Sequence, residues 1–389
     1  MKWEKDAQAL YDSVDQHIPA AMKQIANPLI QAAAERRCAQ QNADRVTLTH
    51  LIEAIFEVVP QTFKARMVAI LTSLEVDCGS YIAAAENTKI PQTDIRQLTE
   101  SMRTLSEHLG LTMRDDKLKK LLSLYDHFFK YSPVSLGVST NSEKKYALTL
   151  RYLETGQAHT PDPLTMAMVN DILPQGRTPL TDFFEEAKRS FDVLGYGVEV
   201  NVESGMSQIW MALFPIEMDK LLSLKHLPPA AKQHVEIFQK YNMSRISLIT
   251  FDLTHQMVSL HVMRKTPTAV SPDVFRNLLK ELSGIPDHAV SPELLDYLAG
   301  AHIIHFTFSW QSDVASQVCF NRLHGTKENV PVQLDSVLSM CVEDFVFTNG
   351  NERFIVGVAI SSAGIRFLIE NDYNGRMLTE IQKGCRVGI

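Results

Sequence analysis

The side chains best suited to chemistry gather in one stretch, RISLITFDLTHQMVSLHV (245–262), which carries imidazoles at His255 and His261 and a hydroxyl at Ser259. An imidazole titrates near neutral pH, so His261 can act as general acid or base on a bound substrate, or can simply hydrogen-bond a neighbour. The stretch reads as two strands around a turn at Asp252-Leu253-Thr254-His255. In the second strand Val258, Leu260 and Val262 point one way while Met257, Ser259 and His261 point the other, a period of two that gives one apolar and one mixed sheet face. That mixed face is either solvated surface or the wall of a ligand chamber. Two further candidates are His305, in AHIIHF, and Cys319, which nothing nearby marks as an activated nucleophile.

The elements that would position these groups follow from the pattern along the 389-residue chain. The first 85 or so residues read as helix throughout, with Ile18, Met22, Ile25 and Leu29 at helical spacing. A polar stretch, NTKIPQTD (87–94), marks a boundary, giving a helical accessory domain over 1–90 and a second domain over 94–389. The second domain repeats a helix–strand–strand unit about five times. Its strands are read near 133–139, 145–153, 196–203, 207–214, 245–263, 302–309, 316–322, 344–349 and 353–360, with a final helix from about 362. Ten sequential antiparallel strands leave two exposed edges unless the sheet closes, and a ten-stranded barrel is too wide for its own side chains to fill. The fold class expected is α+β: a ten-stranded antiparallel β-barrel of repeated αββα units surrounded by helices, preceded by a small all-α N-terminal domain.

Composition narrows the function. A formal net charge of -7 with 45% hydrophobic and 21% charged residues describes a folded protein and not a nucleic-acid binder, which needs a basic face. No apolar run reaches the roughly 18 to 20 residues of a membrane span, so no membrane partner and a cytoplasmic location are expected. The five cysteines are scattered and lack CxxC spacing, which speaks against a disulfide framework or structural zinc.

The segment LPPAAKQHVEIFQKYNMSRISLITFDLTHQMVSLHV (227–262) resembles the soluble ABBA-type aromatic prenyltransferases. Weaker matches follow in the same order: DPLTMAMVNDILPQGRTPLTDFF (162–184), MALFP (211–215), VCF (318–320) and RFIVGVAIS (353–361). The resemblance implies αββα units around a ten-stranded barrel whose lumen binds an allylic diphosphate, ionises it and lets an aromatic ring capture the allyl cation. It also implies cations on successive strands for the diphosphate and, in some members, a magnesium-binding aspartate. Carried over by position, those strand cations fall on Ile209, His255, Gln317 and near Leu368, the asparagine partner of one falls on Ser259, and the aspartate falls on Lys145. A basic residue at the aspartate position implies metal independence, so no metal or cofactor is expected. Lys145, Arg151, His255, Arg264 and Arg366 are the basic groups available to rebuild a smaller anion site.

The resemblance and the alternation together place these residues in the lumen: Lys145 and His261 as catalytic candidates, and Ser247, Phe251, Met257, Ser259, His255, Met211, His305, Thr307, Gln317, Cys319 and Asn321 as substrate-binding ones. The set is largely neutral and suits a partly apolar small molecule. Three readings stay open: a magnesium-independent aromatic prenyltransferase of specialised metabolism, a barrel repurposed for isomerisation, cyclisation or a similar reaction, and a non-catalytic small-molecule binder. In the N-terminal domain, Trp3, Ala7, Leu10, Ile18-Pro19, Arg36-Arg37 and VTLTHLIEA resemble the small C-terminal helical domain of light-independent protochlorophyllide reductase subunits. The expected role there is dimerisation or partner docking.

Overall fold

A computed structural model describes residues 2–18, 20–41, 43–58, 61–77, 92–140, 146–155, 162–243, 245–264, 271–286, 290–334 and 336–387. The chain divides into two compact units, Met1–Ile90 and Pro91–Ile389.

In the first unit, two-residue strands β1 (Lys2–Trp3) and β2 (Arg45–Val46) pair in parallel beside helices Lys5–His17, Ala20–Gln40, Leu48–Val58 and Gln61–Ser73. Leu10, Val14, Ile30, Leu51, Ile55 and Leu71 form its core. Arg37 pairs with Glu53 at 2.7 Å and Glu57 at 2.8 Å, tying the second helix to the third.

The second unit is a closed barrel of ten strands: β3 (Val134–Thr140), β4 (Tyr146–Leu153), β5 (Val193–Asn201), β6 (Gly205–Glu217), β7 (Arg245–Asp252), β8 (Met257–Met263), β9 (Ile303–Ser309), β10 (Gln317–His324), β11 (Phe354–Ser361) and β12 (Gly364–Asn371). Each strand pairs antiparallel with its sequence neighbours, and β12 closes on β3 through Leu368↔Ser139 to Asn371↔Leu136. Closure removes every free edge, the condition that the strand count imposes.

Helices between the hairpins begin at side-chain caps where the sequence provides them. Thr178 and Thr181 cap each other's backbone at the start of Pro179–Ser190, and Ser271 and Ser291 accept from the first turns of Pro272–Ser283 and Pro292–Ala299. These helices cover the outer wall, whose apolar face carries Val258, Leu260, Phe306, Phe308, Val318 and Phe320, all fully buried.

Two assignments change near the C-terminus. Residues 344–349 end a helix, Ser336–Asn349, because Leu338, Cys341, Val342 and Phe345 bury one face at i, i+3, i+4 and i+7 spacing. The last strand is β12, entered through the two-residue turn 362–363 with Gly364 at φ 119°, and the closing helix is Met377–Val387. Among the described residues no helix is long and apolar enough to cross a membrane.

Candidate active site

The described hairpin turns of the barrel, 202–204, 253–256, 310–316 and 362–363, lie at one end, and the lumen opens there. At the other end Leu153, Ala212, Leu248, Ile303 and Ile355 meet Met377, Leu378 and Ile381 of the C-terminal helix in an apolar cluster that closes the floor. Between them is a cavity of about 650 Å³. Its mouth carries His255, Asp252, Gln317, Ser361 and Arg366; deeper come Ser259, Thr307, Thr250 and Glu199, then Arg151, Glu370, Trp210, His261, His305 and Asn321.

Met257, Ser259, His255, His261, His305, Thr307, Gln317 and Asn321 line this cavity. Cys319 shares their face of β10, where its thiol donates to Asn321 Oδ1 at 3.7 Å and burial pushes its pKa up to about 12. Lys145 lies outside the described residues.

Met211, Ser247 and Phe251 are not in the lumen. Asp252 pairs with Met257, so residues 253–256 form a four-residue turn, with Gln256 at φ 53°. An even turn pairs even-numbered residues of β7 with odd-numbered ones of β8, and directly opposed residues share a face. Ser259 therefore faces inward with Thr250, and His261 with Leu248, while Ser247 and Phe251 face outward. The same register across β6 brings Gln208, Trp210 and Ala212 inward and turns Ile209 and Met211 to the helices. Phe251 packs under Phe183 and Phe184, at ring-centroid distances of 5.8 and 5.0 Å.

Arg151 does reach the lumen, but the carboxylates that form a charged belt with it, Glu199 and Glu370, were not anticipated. Glu370 holds the Arg151 guanidinium, which stacks 4.0 Å over the Trp210 ring. Gly137 of β3 lies between Glu370 and Thr149 and leaves room for both side chains: a Cβ there would sit 2.9 Å from Thr149 Oγ1 and 3.2 Å from Glu370 Cγ. Glu199 stands opposite Arg151 on β5 and accepts from Ser207 Oγ at 3.2 Å. Desolvation raises Glu199 to about 7, with Arg151 opposing and Glu370 adding to the rise; desolvation also raises Glu370. Part of the Glu199 surface remains open, but that surface is lumen enclosed by the barrel wall.

Imidazoles continue the belt. His261 Nε2 shares a 2.7 Å hydrogen bond with Thr250 Oγ1, and the His261 and His305 rings lie 4.5 Å apart. Burial, the neighbouring imidazole and Arg151 hold His261 well below its ordinary pKa, and burial with Arg151 takes His305 to about 3. Both shifts favour the neutral imidazole, and His261 meets the wall through its hydrogen bond with Thr250. His255 stands at the rim, 3.0 Å from Asp252. Arg264 donates instead to the carbonyls of Ala299 and Ala301, at 3.3 and 3.0 Å.

Among the described residues, the cavity lining thus carries two arginines, Arg151 and Arg366, and three carboxylates, Glu199, Asp252 and Glu370. Arg366 bonds the neutral Gln317 side chain at the mouth and has no carboxylate partner among the described residues. No cluster of three or more His, Cys, Asp or Glu among the described residues is placed to hold a metal ion.

The sequence model of the aromatic prenyltransferase Orf2 family matches residues 93–384, the whole barrel. The chain belongs to that family. Two curated relatives align over most of their lengths. The 5,10-dihydrophenazine-1-carboxylate 9-dimethylallyltransferase of Streptomyces anulatus is 24% identical over 275 residues, 70% of this chain and 90% of that protein. The furaquinocin biosynthesis prenyltransferase of Streptomyces sp. (strain KO-3988) is 17% identical over 304 residues, 74% of this chain and 93% of that one. The crystal structure of 5-dimethylallyl tryptophan synthase from Streptomyces coelicolor in complex with DMASPP and Trp aligns at a TM-score of 0.50 and 8% identity, covering 71% of this chain and 93% of that chain, which shows a shared fold. Of the positions onto which the resemblance carries cations, His255, Gln317 and Leu368 line the cavity, as does Ser259 at the asparagine position, while Ile209 faces the helices.

Proposed function

We propose that this chain is an aromatic prenyltransferase of specialised metabolism that transfers an allyl group from an allylic diphosphate to an electron-rich aromatic ring in the lumen without a metal ion. The observation that carries the reading is the enclosed, floor-sealed cavity of about 650 Å³ in a chain whose whole barrel matches the family. The diphosphate sits at the mouth against Arg366 and Gln317, with Lys145, which directly precedes β4 in the chain, as a further cation. Its allylic C–O bond breaks and the electron pair leaves with the diphosphate. The cation left in the lumen is stabilised by the carboxylate surplus there and shielded from water by the sealed wall. The aromatic ring forms the new carbon–carbon bond, and the proton lost as the ring regains aromaticity passes to Glu199, whose pKa of about 7 makes it a base at neutral pH. The first donor to test is dimethylallyl diphosphate, because one relative is named for dimethylallyl transfer to a tricyclic aromatic. The N-terminal unit is proposed as a dimerisation or docking element without chemistry of its own.

The charge balance favours a second reading. Three carboxylates against two arginines, one of them held by Glu370, oppose an anion of two to three charges in a water-poor site. A repurposed barrel would isomerise, cyclise or simply bind a neutral or weakly charged small molecule. Calorimetry with dimethylallyl diphosphate in the presence of a chelator separates the two: micromolar binding supports prenyl transfer, and no binding beside measurable uptake of uncharged aromatics supports the repurposed barrel.

A further inference from the structure

Among the described residues that line the cavity, all but one belong to barrel strands or to the turns at the mouth; the exception is Ile381 of the C-terminal helix. It closes the deep end with Leu153, Leu248, Met263, Ile303 and Ile355, an apolar patch that adjoins the Arg151–Glu370 ion pair. The helix that carries it is fixed in place. Asp372, fully buried, accepts from the backbone N–H groups of Met377 at 2.7 Å and Leu378 at 3.0 Å. Arg353 donates to Gly375 O at 2.6 Å and Thr379 Oγ1 at 3.1 Å, and Thr155 Oγ1 donates to Glu380 Oε2 at 3.0 Å. Met377 and Leu378 pack into the cluster, and Ile381 follows Met377 by one helical turn, on the same side of the helix. A floor held at this many points resists withdrawal, and Ile381 is the one described lining side chain supplied from outside the barrel strands and their turns.

We propose that Ile381 determines the length of the apolar chain the lumen accepts, and thereby selects among allylic donors. This rests on the prenyl-transfer reading for the identity of the ligand, but not for the geometry. A donor is polar at one end and apolar at the other. Among the described residues Arg366 at the mouth has no carboxylate partner, whereas Arg151 is held by Glu370 and the floor beside that pair is hydrocarbon, so the head stays at the mouth and the chain points toward Ile381.

The test uses the full chain with Ile381→Ala, Ile381→Val and Ile381→Phe. Dimethylallyl, geranyl and farnesyl diphosphates compete for one aromatic acceptor. Ile381→Ala removes three carbons from the floor and is expected to raise the geranyl to dimethylallyl ratio of kcat/KM by about tenfold or more, Ile381→Val to raise it less, and Ile381→Phe to lower it about tenfold. A variant that merely folds poorly lowers both rates together and leaves the ratio in place. A ratio unmoved in both the Ala and Phe variants overturns the proposal. Binding of straight-chain primary alcohols of increasing length, followed by calorimetry, gives a readout independent of chemistry. If no diphosphate is turned over but the longest alcohol bound grows in Ile381→Ala and shrinks in Ile381→Phe, the prenyl-transfer reading fails and the floor stands. If transfer proceeds while neither series moves, the floor fails alone.

Discussion

Glu199→Gln removes the lumen carboxylate while keeping its shape, and two consequences can be worked from its surroundings. Burial raises the Glu199 pKa from 4.5 to about 7, a rise worth about 3 kcal/mol at 1.36 kcal/mol per pH unit. Water within the lumen screens part of this, leaving roughly 1 to 2 kcal/mol. The folded-state pKa lies above the unfolded one, so the folded chain holds the proton more tightly. This group's contribution to stability is therefore complete below about pH 4.5 and is lost as pH rises through 7. Urea unfolding at pH 5.5, 6.5, 7.5 and 8.5, followed through the barrel tryptophans Trp210 and Trp310, should show the wild type losing roughly 1 to 2 kcal/mol across that range relative to Glu199→Gln. Product formation should rise with pH through about 7 in the wild type and lose that dependence in the variant, with a rate loss of about 10²-fold or more. Equal pH slopes in the two proteins, for both unfolding and turnover, would refute the reasoning.

Three further outcomes follow from the contacts. Arg366→Ala should raise the donor KM by at least about tenfold, since a charge-assisted bond to phosphate contributes about 1.5 to 3 kcal/mol, and steady-state kinetics at saturating acceptor measures it. Phe251→Ala should destabilise the barrel by about 3 to 5 kcal/mol through the void left beneath Phe183 and Phe184, visible in urea unfolding; a ligand-facing Phe251 would instead change binding and leave stability nearly intact. Asp372→Asn should cost about 1 to 3 kcal/mol, because one oxygen of the pair that receives the Met377 and Leu378 N–H groups becomes a donor. Hydrogen exchange should then show the C-terminal helix opening ahead of the barrel strands.

The closed barrel was legible because alternation and hairpin spacing are local signals. Met257, Ser259 and His261 face the lumen as their spacing within β8 requires. What failed was the carry of that alternation across a turn. Whether Phe251 or Thr250 faces inward depends on the number of residues between the paired ends, and a four-residue turn inverts what a three-residue turn would give. The charged belt was hidden for another reason. Glu199 lies between the buried Val198 and Val200 and Glu370 between the core-facing Ile369 and Asn371, a pattern that in a single strand also describes a solvated face. Only closure turns that face into an interior, and Gly137, which carries no chemistry, leaves the space that Thr149 and Glu370 occupy beside it. In Ser336–Asn349 the alternating FVF competes with a helical stripe from Leu338 to Phe345, and packing favours the stripe.

The most direct test of the central claim is incubation of the purified full chain with dimethylallyl diphosphate, a chelator and a panel of phenols, indoles, naphthols and phenazines, with products read by mass spectrometry. The account predicts the mass increment of one prenyl group on a ring carbon of at least one acceptor, formed without metal and reduced at subsaturating donor in Arg366→Ala. No transfer to any acceptor from dimethylallyl, geranyl or farnesyl diphosphate, with or without magnesium, together with no calorimetric binding of those diphosphates, would contradict it.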